Sequence, residues 1–291
     1  MIGQTEILER LDKQCEEDLL PRFLMFVGPE GMGKKTLMRE FAKKHWKIVI
    51  ELSDVKVDSI RGMISEAYKL SSPTVYIIPD ADRMSVNAKN SLLKVTEEPP
   101  NKATFLMSIT SMEQTLETIK SRGTAYYMRP YSVSERLEYI KTLDVAWSER
   151  DLKYVMMISN SIYDIVRLSR IDPGELESYA KKLVDNINKV SVANALKTSG
   201  KIKFKDDDKG EYELDLLFRA CMYVMAENIY NESKKPRLKM YRDMMDETML
   251  RMNDLNNLAI SKPNTYDMWL LNCRKIMKEY KNGIKQSKST D

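Results

Sequence analysis

Up to about residue 130 the chain alternates two apolar patterns, and after that it keeps only one. Short runs rich in β-branched and aromatic residues read as strands: FLMFV at 23–27, KIVIEL at 47–52, TVYII at 74–78, TFLMSI at 104–109 and AYYM at 125–128. Helix-length segments lie between them at 33–45, 57–70, 85–97 and about 112–119. Apolar strands separated by helices predict a mostly parallel sheet covered on both faces. After PYSVSER at 130–136 the strand signal stops, and apolar residues recur at helical spacing, as at Leu137, Ile140 and Leu143 and then Leu152, Val155 and Met156. Pro173-Gly174 marks a break, and helices are expected over 213–232, 237–258 and 265–281. The predicted organisation is an α/β domain over 1–130, a helical segment over 131–172, an all-α domain over 173–282 and a flexible tail over 283–291. SGKIKFKDDDKGEY at 199–212 reads as a solvated loop or a short hairpin. Met222, Met225, Met244, Met245 and Met249 fall on helix core positions, whereas Trp269, Leu270 and Leu271 suit either a core or a partner.

Composition narrows the chemistry. Across 291 residues, 43% are hydrophobic and 31% charged, ordinary globular usage with no apolar run of the ~18 residues a membrane span needs. MIGQTEILERLDKQ, at 1–14, lacks the apolar core of a secretory signal, so a cytoplasmic protein with no membrane partner is expected. The 47 basic residues nearly balance the 43 acidic ones, so any contact with DNA rests on a local array of Lys and Arg. His45 is the sole histidine, which excludes multi-histidine metal sites and leaves one residue for any Ser/His/Asp relay. Cys15, Cys221 and Cys273 match neither a disulfide framework nor a zinc spacing, so reduced, buried thiols and no zinc are expected.

GPEGMGKKT at 28–36 follows a predicted strand and opens a predicted helix, the context a phosphate-binding loop requires. Gly28, Gly31 and Gly33 let the backbone of Gly28, Pro29, Gly31, Met32 and Gly33 curl around phosphate oxygens. Lys34 then reaches the outer phosphates, and the helix N-terminus adds partial positive charge. A Gly-rich turn without a ligand is the competing reading. The residue after that lysine normally carries a hydroxyl for magnesium, but here it is Lys35. Thr36 lies one helical step further, ~100° around and ~1.5 Å along the axis, and is not expected to replace it. The second metal-supporting acid is displaced as well. Pro79 follows the apolar run, and Asp80, with Asp82 beyond it, is expected on the opposite face of an extended chain. ATP or ADP is therefore the expected ligand, with magnesium poorly held and hydrolysis lost. An active enzyme using Asp80 in a shifted geometry is the alternative.

The run ADRMSVNAKNSLLKVTEEPPNKATFLMSIT at 81–110, with TLETIKSRG at 115–123, resembles the clamp-loader branch of AAA+ proteins, and most closely its bacterial delta-prime type. The resemblance spans roughly residues 1–170 and is most specific at Asn90–Lys94, at Glu97-Glu98-Pro99-Pro100 and at Ser121-Arg122, where Gly123 stands in place of the family's usual cysteine. It implies a sheet domain with a helical lid and a helical collar. It also implies that Arg122 is an arginine finger reaching the phosphates of a neighbouring subunit, and that Ser111 lies near a polar sensor of the γ-phosphate. Asp164 falls where active relatives carry a phosphate-sensing arginine, with Arg167 three residues later, and a carboxylate there would repel a triphosphate. Other AAA+ subunits, a sliding clamp and primer–template DNA are the implied partners, with Arg61 and Lys89 as candidate DNA contacts or ordinary solvated charges. No four-cysteine zinc module lies between the phosphate loop and the acidic motif, which suggests a divergent or phage-encoded version. The expected role is a clamp-loader subunit that binds nucleotide weakly or does not hydrolyse it. The alternatives are an active AAA+ ATPase, as a clamp-loader motor or helicase loader, and a nucleotide-free scaffold.

Overall fold

The five apolar runs all become strands. They are β1 (Phe23–Val27), β2 (Ile48–Glu51), β3 (Thr74–Ile78), β4 (Ala103–Ile109) and β5 (Thr124–Tyr127), paired in parallel in the order β2-β3-β4-β1-β5. This is the computed structural model of the chain, and it describes residues 2–115, 117–189, 202–203, 212–232, 235–255 and 260–287. Every residue of β1, β3 and β4 is buried, as near-continuous apolar runs require when helices cover both faces. Side chains alternate between two cores. Phe23, Met25, Tyr76, Ile78, Phe105 and Met107 pack on one face, and Leu24, Phe26, Val75, Ile77, Leu106 and Tyr126 on the other. Because Val27 pairs with both Ile109 and Tyr127, the carboxyl ends of three neighbouring strands finish level with one another.

Helices α1 (Thr5–Glu16), α2 (Lys34–His45), α3 (Val57–Ala67), α4 (Val86–Ser91), α5 (Leu93–Glu97), α6 (Glu117–Lys120) and α7 (Val133–Ile140) complete this unit, which comprises residues 1–144 and 160–163. The single helix expected over 85–97 is two, because the Leu92 amide bonds to the Lys89 carbonyl at 3.1 Å, a tightened turn between α4 and α5. The helix expected near 112–119 is a 3₁₀ turn at Met112–Gln114 followed by the short α6. Arg39 on α2 grips Glu51 at the end of β2 through two contacts of 2.7 and 2.6 Å. At the start of α7, Ser132 and Glu135 form a reciprocal capping box, and Arg129 pairs with the Glu135 carboxylate at 2.6 and 2.8 Å.

The second unit comprises residues 145–159 and 164–291, and the helices described in it are α8 (Glu149–Ile158), α9 (Ile162–Leu168, which begins in the first unit), α10 (Pro173–Asn186), α11 (Leu214–Asn231), α12 (Lys235–Asp254) and α13 (Lys262–Ser287). The segment 131–172 is thus shared out, with α7 in the first unit and α8 in the second. Pro173 is the first residue of α10, whose N-cap Asp172 accepts from the Gly174 and Glu175 amides at 2.8 and 3.1 Å. Its core gathers Tyr154, Leu176, Phe218, Met225, Met244 and Trp269. The Trp269 indole donates to Thr248 Oγ1 at 2.8 Å, so Trp269 and Leu270 are core residues while Leu271 is exposed. Met249 is also exposed, against the expectation that it fills the core, because it lies on the outer side of α12 from the buried Met244 and Thr248.

Two further expectations change. Within 199–212, Ile202–Lys203 pairs with Tyr212–Glu213 in parallel, which excludes a hairpin between them, and Ile202 and Tyr212 are buried in the helical core; residues 204–211 lie outside the described residues. Helix α13 runs through Ser287, beyond the expected start of the tail, since a single Gly283 costs ~1 kcal/mol without breaking a helix; 288–291 lie outside the described residues. Cys221 and Cys273 are buried thiols, whereas Cys15 is only half-buried. No helix among the described residues is long and apolar enough to cross a membrane.

Candidate functional site

The loop from Gly28 to Gly33 leaves the carboxyl end of β1 and runs into α2, and two left-handed glycines, Gly31 at φ 81° and Gly33 at φ 79°, curl it. A side chain at Gly31 would strike Ser161, whose Oγ lies 2.5 Å from the position its Cβ would take. Met32 is buried beneath the loop, and the Tyr131 hydroxyl donates to its carbonyl at 3.2 Å. Burial drives the Tyr131 phenol up to about 12, so it stays a donor throughout the physiological range. Neither Ser161 nor Tyr131 carries a sequence signal that links it to residues 28–36.

Lys34 opens α2 with its side chain buried, and its ammonium donates to the carbonyls of Gly28 and, at 2.8 Å, Pro29. Burial pulls its pKa below the ordinary lysine value. Lys35 points elsewhere: its Nζ lies 2.7 Å from Asp80 Oδ2. Thr36 is exposed on α2. Glu30 lies 3.6 Å from Arg83, an exposed pair between the loop and the acidic turn.

The expected orientation of Asp80 is overturned. Strand β3 ends at Ile78, and Asp80 is left-handed at φ 49°, ψ 46°, so the alternation of an extended chain does not apply to it. Its amide donates to Ser108 Oγ at 2.9 Å, and its carbonyl accepts from the Arg83 amide at 2.9 Å. The turn therefore faces its carboxylate toward α2. Asp82 accepts from Thr110 twice, at 3.1 Å from the amide and 2.8 Å from the hydroxyl. Ser108 and Thr110, near the end of β4, are the residues that hold the acidic turn. Sequence reading passed over both in favour of Ser111, whose hydroxyl caps the 3₁₀ turn by accepting from the Glu113 amide at 3.3 Å.

The residues present do not suit a magnesium ion. An ammonium has donors and no lone pair, magnesium demands oxygen ligands at ~2.0–2.1 Å, and the Asp80 oxygen in question already carries the Lys35 charge. Among the described residues no cluster of three or more His, Cys, Asp or Glu is arranged to hold a metal.

Arg122 lies in the turn between α6 and β5, with its side chain 36% exposed. It donates to the Thr118 carbonyl at 2.9 Å and meets Glu97 Oε1 at 3.0 Å. Glu97 thus gives Arg122 a local carboxylate partner. A Cβ at Gly123 would lie 2.8 Å from the Met25 methyl and 3.1 Å from Phe23, so this turn packs tightly on β1. Arg61 is exposed on α3, and Lys89 is half-buried on α4, the helix against which α3 packs.

In the second unit Asp164 is no bare charge. Its two oxygens are taken by Arg167 at 2.7 Å and Arg219 at 2.6 Å, and Arg167 also grips Asp215 at 2.9 and 2.7 Å and Glu213 at 2.7 Å. Asp164 therefore sits in a cluster of two guanidinium groups and three carboxylates rather than as an isolated charge.

With this geometry in view, the likeness to known proteins is specific. The family described as DNA polymerase III, delta subunit, matches residues 45–132, the stretch holding β2 to β5, the acidic turn and Arg122. The DNA polymerase III subunit delta' of Bacillus subtilis is 26% identical over 266 residues, covering 79% of this chain and 80% of that protein. The chain is thus similar to AAA+ clamp-loader proteins. The replication factor C small subunit of Methanothermobacter thermautotrophicus is 26% identical over 224 residues, 64% of this chain and 69% of that protein. Human replication factor C subunit 5 is 28% identical over 55% of this chain and 52% of its own length, so the match spans about half of that relative. Among solved structures, a DNA polymerase III gamma subunit-related protein of Thermotoga maritima superposes with TM-score 0.50 at 16% identity over 92% of this chain and 98% of its own. The RuvB branch migration motor of the same organism gives 0.51 at 16% identity over 93% and 88%. These two likenesses show the AAA+ fold alone. The sequence likeness is thus to clamp-loader subunits of DNA replication.

Proposed function

We propose that this cytoplasmic subunit works within a ring of AAA+ subunits that loads a sliding clamp onto primer–template DNA, does not itself turn over ATP, and supplies Arg122 to nucleotide bound by a neighbour. The observation that carries this reading is the Lys35–Asp80 pair: the residue that would hold magnesium through a hydroxyl is a cation, tied at 2.7 Å to the nearby acid. The loop keeps what phosphate binding needs, two left-handed glycines, a lysine at the first helical position and a helix N-terminus, so ATP or ADP remains the proposed ligand. On arrival of phosphate, Lys34 exchanges its bonds to the Gly28 and Pro29 carbonyls for phosphate oxygens.

Arg122 suits action in trans. Its guanidinium is partly exposed, and Glu97 compensates its charge until a stronger anion competes. Negative charge developing on a transferred phosphoryl group is such an anion. The delta' likeness supports the same assignment, and Arg61 and Lys89 are the proposed contacts to DNA phosphates through the assembled ring.

The test is ATP turnover by this chain alone and mixed with its partner ATPase, clamp and primed DNA, for wild type and Arg122→Ala. Silence alone, with a loss of up to ~10³-fold in the mixture for Arg122→Ala, is expected. Robust turnover by the chain alone would instead make it a motor. An unaltered mixture rate would remove the finger.

A further inference from the structure

We propose that the Lys35 ammonium, carried on Asp80, takes over the charge-neutralising role of a divalent cation, so that the loop binds a nucleoside di- or triphosphate free of magnesium. The proposal rests on reading residues 28–36 as a nucleotide loop and goes beyond it by assigning the form of the ligand.

Three observations converge. First, Lys35 follows Lys34 directly on the first turn of α2, so two ammonium groups leave the same helix end, ~100° apart around its axis. One donates within the loop to Gly28 and Pro29, and the other reaches the acidic turn beyond β3. Both thus leave the first turn of α2, the end of the helix where anionic oxygens are favoured.

Second, Asp80 is built to hold this ammonium. Its left-handed backbone, a conformation aspartate adopts more readily than most residues, is fixed by Ser108 Oγ on its amide and the Arg83 amide on its carbonyl. The carboxylate is thereby held against α2 at 2.7 Å from Nζ. An ammonium has three donors, so with one spent on Asp80, others remain for phosphate oxygens.

Third, competing uses of these groups are closed off. Asp82 accepts two hydrogen bonds from Thr110, and Asp80 is already paired with Lys35. A divalent ion at the Asp80 oxygen would face an ammonium already within hydrogen-bond distance of it. The pair is only half-exposed, with side-chain exposures of 42% and 35%, so the ammonium stays within reach of an incoming ligand.

The experiment is calorimetric titration of ATP and of ADP into the purified full chain, in buffer with magnesium chloride and in buffer with EDTA. Wild type is expected to bind with affinities within about twofold of each other in the two buffers. Lys35→Arg, which keeps the charge, should behave the same. Lys35→Thr, which restores a hydroxyl, should lose ~10-fold in EDTA and regain affinity when magnesium is added. Lys34→Ala should abolish binding in both buffers, and thermal melts of each variant report that it is folded. Nucleotide binding by wild type that collapses in EDTA would overturn the metal-free assignment while leaving the nucleotide loop intact. Undiminished binding of Lys35→Thr in EDTA would also overturn it. Absence of binding in either buffer would overturn the loop reading and this inference together.

Discussion

Two ionic clusters in this protein use the same chemistry under opposite conditions. At the carboxyl edge of the sheet, Lys35 and Asp80 meet at 2.7 Å with much of each side chain exposed. In the helical unit, Asp164 and Arg167 also meet at 2.7 Å, but with side-chain exposures of 4% and 9%, and Arg219, Asp215 and Glu213 complete the cluster. An exposed pair sheds its partner at little cost and is free to exchange it for a ligand. A buried one cannot, because losing a partner strands a charge in low dielectric. Distance alone therefore does not say which cluster is free to exchange a partner for a ligand. Solvent access does.

The sharpest way to break this contrast is Arg167→Ala, which leaves Asp164, Asp215 and Glu213 with Arg219 and without the guanidinium they share. It should cost ~3–5 kcal/mol in urea denaturation, and a loss below ~1 kcal/mol would mean that the cluster behaves like a surface pair. Thr248→Val comes next: it removes the acceptor of the buried Trp269 indole and should cost ~1–3 kcal/mol, read in the same way.

Glu135 is an intermediate case. Its hydrogen bonds from Arg129 and then from Ser132 hold its carboxyl at about 2, well below the ordinary 4.5. The folded state thus binds the proton more weakly than the unfolded one, so the stabilisation is complete above pH ~4.5 and is lost as pH falls toward ~2. Glu135→Gln should lower stability by ~1 kcal/mol at neutral pH, and the gap from wild type should close in acid-titrated melts. The smallest effect is expected for Lys35→Met, at ~0–1 kcal/mol, while the same variant should weaken nucleotide binding in EDTA. A large stability loss there would recast the pair as a structural bridge.

Much of this was legible from the chain. The apolar runs gave β1, β3 and β4 because a strand buried on both faces leaves an unbroken hydrophobic signature, the edge strands β2 and β5 followed from their β-branched and aromatic residues, and GPEGMGKKT located the loop because glycine adopts left-handed turns with least strain. What failed was side-chain direction at Asp80. Alternation holds only while the chain stays extended, and one left-handed residue after Pro79 reverses it. Ser108, Thr110 and Ser161 were missed because each acts through a partner 28 or more positions away, as in Ser108 to Asp80 and Thr110 to Asp82, or across the loop at Gly31.

By itself, then, the sequence determined the elements, the parallel sheet, the position of the phosphate loop and the presence of Lys35 where a hydroxyl is usual. These depend on local periodicity and on residue type. Only the tertiary structure decided that Lys35 meets Asp80, that Arg122 rests on Glu97 and that Asp164 is held by two arginines. Those pairings depend on which strand ends and helix faces are brought together, and the energy of a charge is set by what surrounds it.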